Sequence, residues 1–125
     1  MAQWHGISRR KPSGGRKVFA RGKRSTEISS EKQNAFIGKP NRKIYRKTGG
    51  NILIRVLSDN QCSVNDPKTG KTSTATITNV VENDSNPNYV RRNILTKGAI
   101  IETDQGRVRI TSRPGHDGVI NGILL

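Results

Sequence analysis

The sequence predicts an all-β protein, a small six-stranded barrel or sandwich with a long basic N-terminal extension. Three observations lead there. After Arg42, apolar and polar residues alternate with the period of two that half-buried strands require. Gly, Pro, Asn and Asp punctuate that region at short intervals, as turns between short strands do. The charge is lopsided: residues 1–50 hold fourteen Lys or Arg against two acids, while residues 51–125 hold nine against seven. A length of 125 residues fits one folded domain. The chain is therefore divided into a basic extended arm, residues 1–40, and a β-barrel-like domain, residues 41–125.

The arm reads as extended and mobile. Ser8 to Lys17 combines cations with Pro12, Gly14 and Gly15, which break helices and strands alike. Val18, Phe19, Ile28, Phe36 and Ile37 are too scattered to offset the entropy of ordering such a segment. One short helical turn is expected within Ser25–Ile37, starting near Ser30-Glu31. The strands follow. Lys43–Lys47 alternates, Thr48–Asn51 turns, and Ile52–Leu57 is apolar at both phases, as a strand covered on both faces would be. Gln61–Asn65 is a short strand, and Asp66-Pro67-Lys68-Thr69-Gly70 has the composition of a tight turn. Lys71–Val81 is dense in β-branched residues, which favour a pleated strand.

Asn83–Asn88 reads as a polar loop. Ala99–Thr103 and Arg107–Thr111 form a hairpin across Asp104-Gln105-Gly106, Ser112–Gly118 is a loop, and Val119–Leu125 is the last strand. The apolar phases place Ile54, Val56, Ile77, Val81, Ile100, Val108, Ile110 and Ile123 inward, with Ile100 preferred over Ile101.

Candidate chemistry is sparse. Gly70-Lys71-Thr72 resembles the end of a phosphate loop, but Asn65 stands where that motif needs its first glycine, and β-branched residues follow where a helix should open. His5 and His116 lie far apart in sequence, and no carboxylate pair has a spacing that suggests acid–base catalysis. The single Cys62 excludes an intramolecular disulfide, and no cluster suggests a metal site. No cofactor, small-molecule substrate or membrane partner is expected. No apolar run approaches the roughly 18 residues of a membrane span, so a cytoplasmic location is expected.

The cations point elsewhere. Arg9, Arg10, Lys11, Arg16, Lys17, Arg21, Lys23 and Arg24 fall within sixteen residues. A like-charge block of that density calls for a polyanion, and phosphate backbones supply one, with counterion release as the driving force. Ser13-Gly14-Gly15 allows close backbone approach to a phosphate, and Trp4 and His5 offer planes for base stacking. Arg42, Lys43, Arg46, Lys47, Arg91, Arg92, Lys97, Arg107, Arg109 and Arg113 form a second basic set on the domain.

Several segments resemble one ribosomal family. Asn-Pro-Asn-Tyr-Val-Arg-Arg-Asn-Ile-Leu-Thr-Lys-Gly-Ala-Ile-Ile-Glu-Thr-Asp (Asn86 to Asp104) is similar to the hallmark stretch of small-subunit ribosomal protein S8e, and Trp4 to Arg16 is similar to that family's start. Asp66–Gly70 and Thr111–Gly115 with Asp117-Gly118 fit its archaeal form. The chain lacks the long insertion of eukaryotic members, and Ser29 stands where the family pattern leads to glycine. The resemblance implies a structural constituent of the small subunit, with small-subunit ribosomal RNA and other small-subunit ribosomal proteins as partners and no chemistry of its own. A free-standing RNA chaperone or DNA-architectural protein would share the charge pattern, and a metal-free nucleic-acid hydrolase is the enzymatic alternative. Preference for folded RNA over duplex DNA separates the first rival.

Overall fold

β-Branched and alternating stretches form short strands along the chain, and those of residues 33–125 pack around a small apolar core. The computed structural model describes all residues except Met1, Ala2 and His5. Its chain falls into two units, residues 1–32 and 33–125.

The first unit is built from local pairings. β1 (Gln3–Trp4) runs antiparallel to β2 (Ile28–Ser29), with Trp4 opposite Ile28 and Gln3 opposite Ser29. A 3₁₀ turn at Ser25–Glu27 leads into β2. The helical turn thus lies before the expected Ser30-Glu31 start, and Ser29 sits in paired strand. No side chain described in this unit is buried.

The second unit contains β3 (Ala35–Ile37), β4 (Asn41–Arg46), β5 (Ile52–Asp59), β6 (Gln61–Asn65), β7 (Thr72–Glu82), α1 (Pro87–Arg91), β8 (Ile94–Leu95), β9 (Ile100–Thr103), β10 (Gly106–Ile110), α2 (Pro114–Asp117) and β11 (Asn121–Leu124). Five strands close a barrel in the order β10-β11-β6-β7-β9. The β11–β6 contact is parallel and the other barrel pairings are antiparallel. The barrel has five strands rather than six, because β4 and β5 join β3 and β8 in a second sheet of order β4-β5-β3-β8. β3 lies within residues 1–40, and its Ala35 is buried in the core of this unit.

Two short helices occupy segments expected to be loops. Asn86 caps α1 by accepting the Asn88 N–H (2.9 Å), and Pro87 fits the first turn, where its missing N–H costs nothing. Asn93, at φ 50°, then takes the left-handed position that ends the helix.

The core is made by Val56, Val64, Ile77, Val80, Ile101, Val108, Ile110 and Ile120, with Ala75 and Cys62 between them. Burial pushes the Cys62 thiol up to about 11, with the carboxylates of Asp104 and Asp59 adding to the effect. The group is a neutral packing element at ordinary pH.

Val56, Ile77, Val108 and Ile110 point inward as expected; four others do not. Val81 is exposed while Val80 is buried, because β7 slips register between Ile77 and Asn79 and again between Val80 and Glu82. Each bulge adds a residue and reverses the inward phase. Ile100 is half-buried and Ile101 fills the core instead. Ile123 faces out because Gly122 takes the inward position, where a Cβ would lie 2.9 Å from the Arg109 carbonyl oxygen. Ile54 belongs to the second sheet and is exposed beside Gly118.

Asp59 marks the corner where β5 of the sheet becomes β6 of the barrel. Its buried carboxylate accepts the N–H groups of Asn60 (2.9 Å) and Gln61 (3.1 Å), and a guanidinium N–H of Arg42 on β4 (3.1 Å).

Two substitutions test this architecture by urea unfolding. Ile101→Ala should cost about 2–5 kcal/mol, and Ile100→Ala distinctly less; equal losses would contradict the inward phase of β9. Asp59→Ala strands two backbone donors and should cost about 1–3 kcal/mol or more. Arg42→Ala leaves the buried Asp59 carboxylate without its cation but with both backbone donors in place, and should cost about 1–3 kcal/mol.

Candidate nucleic-acid interface

Residues 9–17 form a small cationic hairpin. The Lys17 N–H donates to the Arg9 carbonyl (2.7 Å), Lys11 N–H to Gly15 (2.9 Å) and Gly14 N–H to Lys11 (3.0 Å). Arg10 faces Arg16 across the turn. Pro12 and Ser13 shape the tip, and Gly14 at φ 83° supplies a backbone conformation that L side chains resist. The Arg10 guanidinium ties back to the Gly14 carbonyl (2.8 Å). The turn carries Arg9, Arg10, Lys11, Arg16 and Lys17, all exposed, so one short hairpin presents five cations.

The aromatic residues of this unit are paired. The rings of Trp4 and Phe19 lie 5.6 Å apart at 51°, a tilted arrangement that aromatic quadrupoles favour. The Arg9 guanidinium sits 5.6 Å from the Phe19 centroid, and the Lys23 ammonium 5.8 Å from the Trp4 ring. The indole N–H donates to the Ile7 carbonyl (3.0 Å), which holds the ring in place. These residues line a cleft of about 1060 Å³. His5, the other expected stacking residue, lies outside the described residues.

One arginine of the block is already committed. Both Glu27 oxygens accept from Arg21, at 2.9 and 2.6 Å, and one also accepts the Arg24 N–H (3.0 Å). The Arg21 guanidinium, helped by that N–H, holds the Glu27 carboxyl down from its ordinary 4.5 to about 2. Lys11, Lys23 and Arg24 remain exposed.

On the second unit the cations are dispersed. Lys43 and Arg55 stand directly opposite each other on β4 and β5, an unfavourable like-charge pair. The Tyr45 ring relieves it, with both cationic groups 5.2 Å from its centroid. The Tyr45 hydroxyl exchanges hydrogen bonds with the Gln33 amide (2.8 and 2.9 Å), which fixes the ring. Arg55 was absent from the expected set because it sits within an apolar run; its position opposite Lys43 depends on the β4–β5 register. Arg46 and Lys47 are exposed near the hairpin end, whereas Arg42 is partly spent on Asp59.

Arg107 and Arg109 share the outer face of β10, Arg107 opposite Glu102. Arg91 and Arg92 are exposed at the end of α1, and Lys97 on the loop before β9. The Arg113 N–H donates to the Asp117 carboxylate (2.8 Å). That bond, with the neighbouring His116 ring, holds the Asp117 carboxyl below the usual carboxylate range. His116 and Asp117 form an exposed pair (3.0 Å) at a helix of four residues. Gly70 at φ 67° closes the Asp66 turn, and Thr72 opens strand β7, so Gly70-Lys71-Thr72 has hairpin geometry. Among the described residues, no three His, Cys, Asp or Glu side chains converge as metal ligands, and no helix is long and apolar enough to cross a membrane.

Residues 4–125 match the model of a family described as ribosomal protein S8e. The small ribosomal subunit protein eS8 of Methanobrevibacter smithii is 47% identical over 125 residues, covering 100% of both chains. Its counterpart in Methanospirillum hungatei is 52% identical over 123 residues, 98% of each chain. That of Methanosarcina barkeri is 45% identical over 123 residues, again 98% of each.

The Glu27 anchor has a defined pH signature. A carboxyl held below its ordinary value contributes fully above 4.5, and loses that contribution as pH falls through about 2. A carboxyl ¹³C titration should place the Glu27 midpoint near 2, and Arg21→Gln should move it back toward 4.5. A wild-type midpoint already at 4.5 would contradict the Arg21–Glu27 geometry.

Proposed function

The chain belongs to the ribosomal protein S8e family in its archaeal form, and from that premise we propose that it is a structural constituent of the small ribosomal subunit that binds small-subunit ribosomal RNA. The basic arm, residues 1–40, supplies most of the affinity by neutralising phosphates, and the barrel domain, residues 41–125, fixes position. The observation that carries this reading is the hairpin of residues 9–17, which gathers five exposed cations on one short turn. Guanidinium forks suit the task because they bridge phosphate oxygens and stack on bases at once. Ser13, Gly14 and Gly15 at the hairpin tip leave the backbone open to a phosphate, and Trp4 and His5 add base contacts.

On the barrel domain, Arg91, Arg92, Lys97, Arg107, Arg109 and Arg113 make further phosphate contacts, as do Lys43, Arg46 and Lys47 on the β4–β5 hairpin. Arg42 contributes weakly because Asp59 already holds it. Other small-subunit ribosomal proteins are its neighbours, and the ribosome in the cytoplasm is its location. The role is structural rather than catalytic.

A salt titration of binding to small-subunit ribosomal RNA tests the division of labour. The full-length protein should lose affinity steeply between 50 and 200 mM salt, with each neutralised phosphate adding roughly −0.7 to −0.9 to the log–log slope. Changing Arg9, Arg10, Arg16 and Lys17 together to Gln should flatten that slope by roughly 3 to 4. Arg91→Gln with Arg92→Gln should flatten it by no more than about 2. Equal effects from both sets would show that the arm does not dominate phosphate contact.

A further inference from the structure

We propose that the cleft beside the Trp4–Phe19 pair holds an unstacked RNA base, so that the first unit reads an unpaired nucleotide as well as neutralising phosphates. The inference rests on the ribosomal-RNA reading above and narrows it to one site and one chemical moiety. Its starting point is an anomaly of exposure. Val18 is 97% exposed and Ile7 68% exposed, although both line a cleft whose wall already includes Phe19 and Trp4. Exposed apolar side chains grouped at one cleft, rather than scattered singly, mark a surface that a ligand covers.

The cations around the cleft decide what kind of ligand it is. Arg9 and Lys23 stand over the two rings, Arg16 and Lys17 line the rim, and the one acid, Glu27, is neutralised by Arg21. A neutral apolar ligand would gain nothing from this rim, and a bare phosphate nothing from the floor. A nucleobase carried between two backbone phosphates satisfies both, since its flat face stacks on apolar and aromatic groups while its flanking charges meet the rim. The cleft volume of about 1060 Å³ stands at the upper end of ligand sites, which run to about 300–1,000 Å³. It has room for a base with its adjoining sugar-phosphates. A base held in a duplex could not enter, so the site selects an unpaired or bulged nucleotide.

Gly6 and Lys23 lie against the indole, and any Cβ at Gly6 would overlap that ring. Lys23 stands over one ring and Arg9 over the other, so the base packs on the apolar lining these cations leave uncovered, Ile7 and Val18 with the free parts of Phe19 and Trp4. Stacking of this kind tolerates any base, because each presents a π-face.

Trp4 is the sole tryptophan of the chain, so its fluorescence reports on the cleft directly. The experiment compares the full-length protein with two probes of equal charge, an adenosine oligoribonucleotide and an abasic ribose-phosphate oligomer of the same length. The adenosine oligomer should quench Trp4 and bind on the order of tenfold more tightly than the abasic one. Phe19→Ala should bring the ratio of affinities toward one while leaving the salt dependence unchanged. Val18→Ser should lower the ratio too, and its exposure means that it cannot act by unfolding the unit. Equal affinity for the two probes, or equal quenching by both, would overturn the proposal. That failure is distinguishable from failure of the ribosomal-RNA reading, which the salt slope on small-subunit RNA decides separately.

Discussion

The second unit depends on how one chain passes from an open sheet into a closed barrel, and the Asp59 carboxylate makes that passage possible. β5 and β6 are separated by the single residue Asn60, so the backbone must change direction within one residue beside the buried Asp59 side chain. Such a turn leaves N–H groups without strand partners, and a buried N–H without a partner is costly. Asp59 accepts two of them and draws Arg42 in from β4. The Asn60 carbonyl meanwhile accepts the Ile77 N–H of β7 (2.8 Å), and the Asp59 carbonyl accepts the Gly38 N–H after β3 (3.4 Å). Strands β3, β4, β5, β6 and β7 thus meet at one corner through polar bonds, beside the apolar cluster that Ala35, Val56, Cys62 and Ile77 share. The positions of Lys43, Arg46 and Arg55 follow from it, since β4 is set by its register against β5.

What the sequence revealed and what it concealed divide along a physical line. Strand existence was legible because β-branched residues and turn residues act locally, and Gln61–Asn65, Thr72–Glu82 and Gly106–Ile110 lie close to where alternation puts them. Phase was legible only where alternation ran unbroken, as at Val108 and Ile110. The β7 bulges at Ile77/Asn79 and Val80/Glu82 come from pairing with β9, a partner remote in sequence, and nothing local announces them. Gly122 hides its inward phase because it has no side chain to be apolar. The partition of strands between barrel and second sheet is likewise long-range.

For the candidate interface, the density of cations was legible from counting. Their grouping was not: the Arg10–Arg16 bridge, the loss of Arg42 to Asp59 and the pairing of Lys43 with Arg55 around Tyr45 need three-dimensional register. Phe19 passed as one of several scattered apolar residues, although its contact with Trp4 makes it part of the cleft. An aromatic residue fifteen positions away, with cations on either side, was the available signal.

A count of positive charges overstates what a polyanion meets, and the two units show why. A guanidinium already bidentate to a carboxylate, as Arg21 is to Glu27, has little left to offer a phosphate. Arg42 is in the same position to a lesser degree, since one of its nitrogens serves a buried acid. Arg9 and Lys23 differ, because an aromatic face attracts a cation without neutralising it. Rings can therefore position these groups while their full charge remains available. The first unit lacks a buried core among its described residues, so cation–ring contacts, the Arg21–Glu27 ion pair, the Trp4–Phe19 contact and backbone bonds help define its shape. Its crowded cations repel one another over roughly the 8–10 Å screening length of physiological salt. A polyanion removes that repulsion and adds attraction in the same step. Order in this unit and the binding of any polyanion to it would then be linked, since whatever binds the ordered form preferentially also stabilises it.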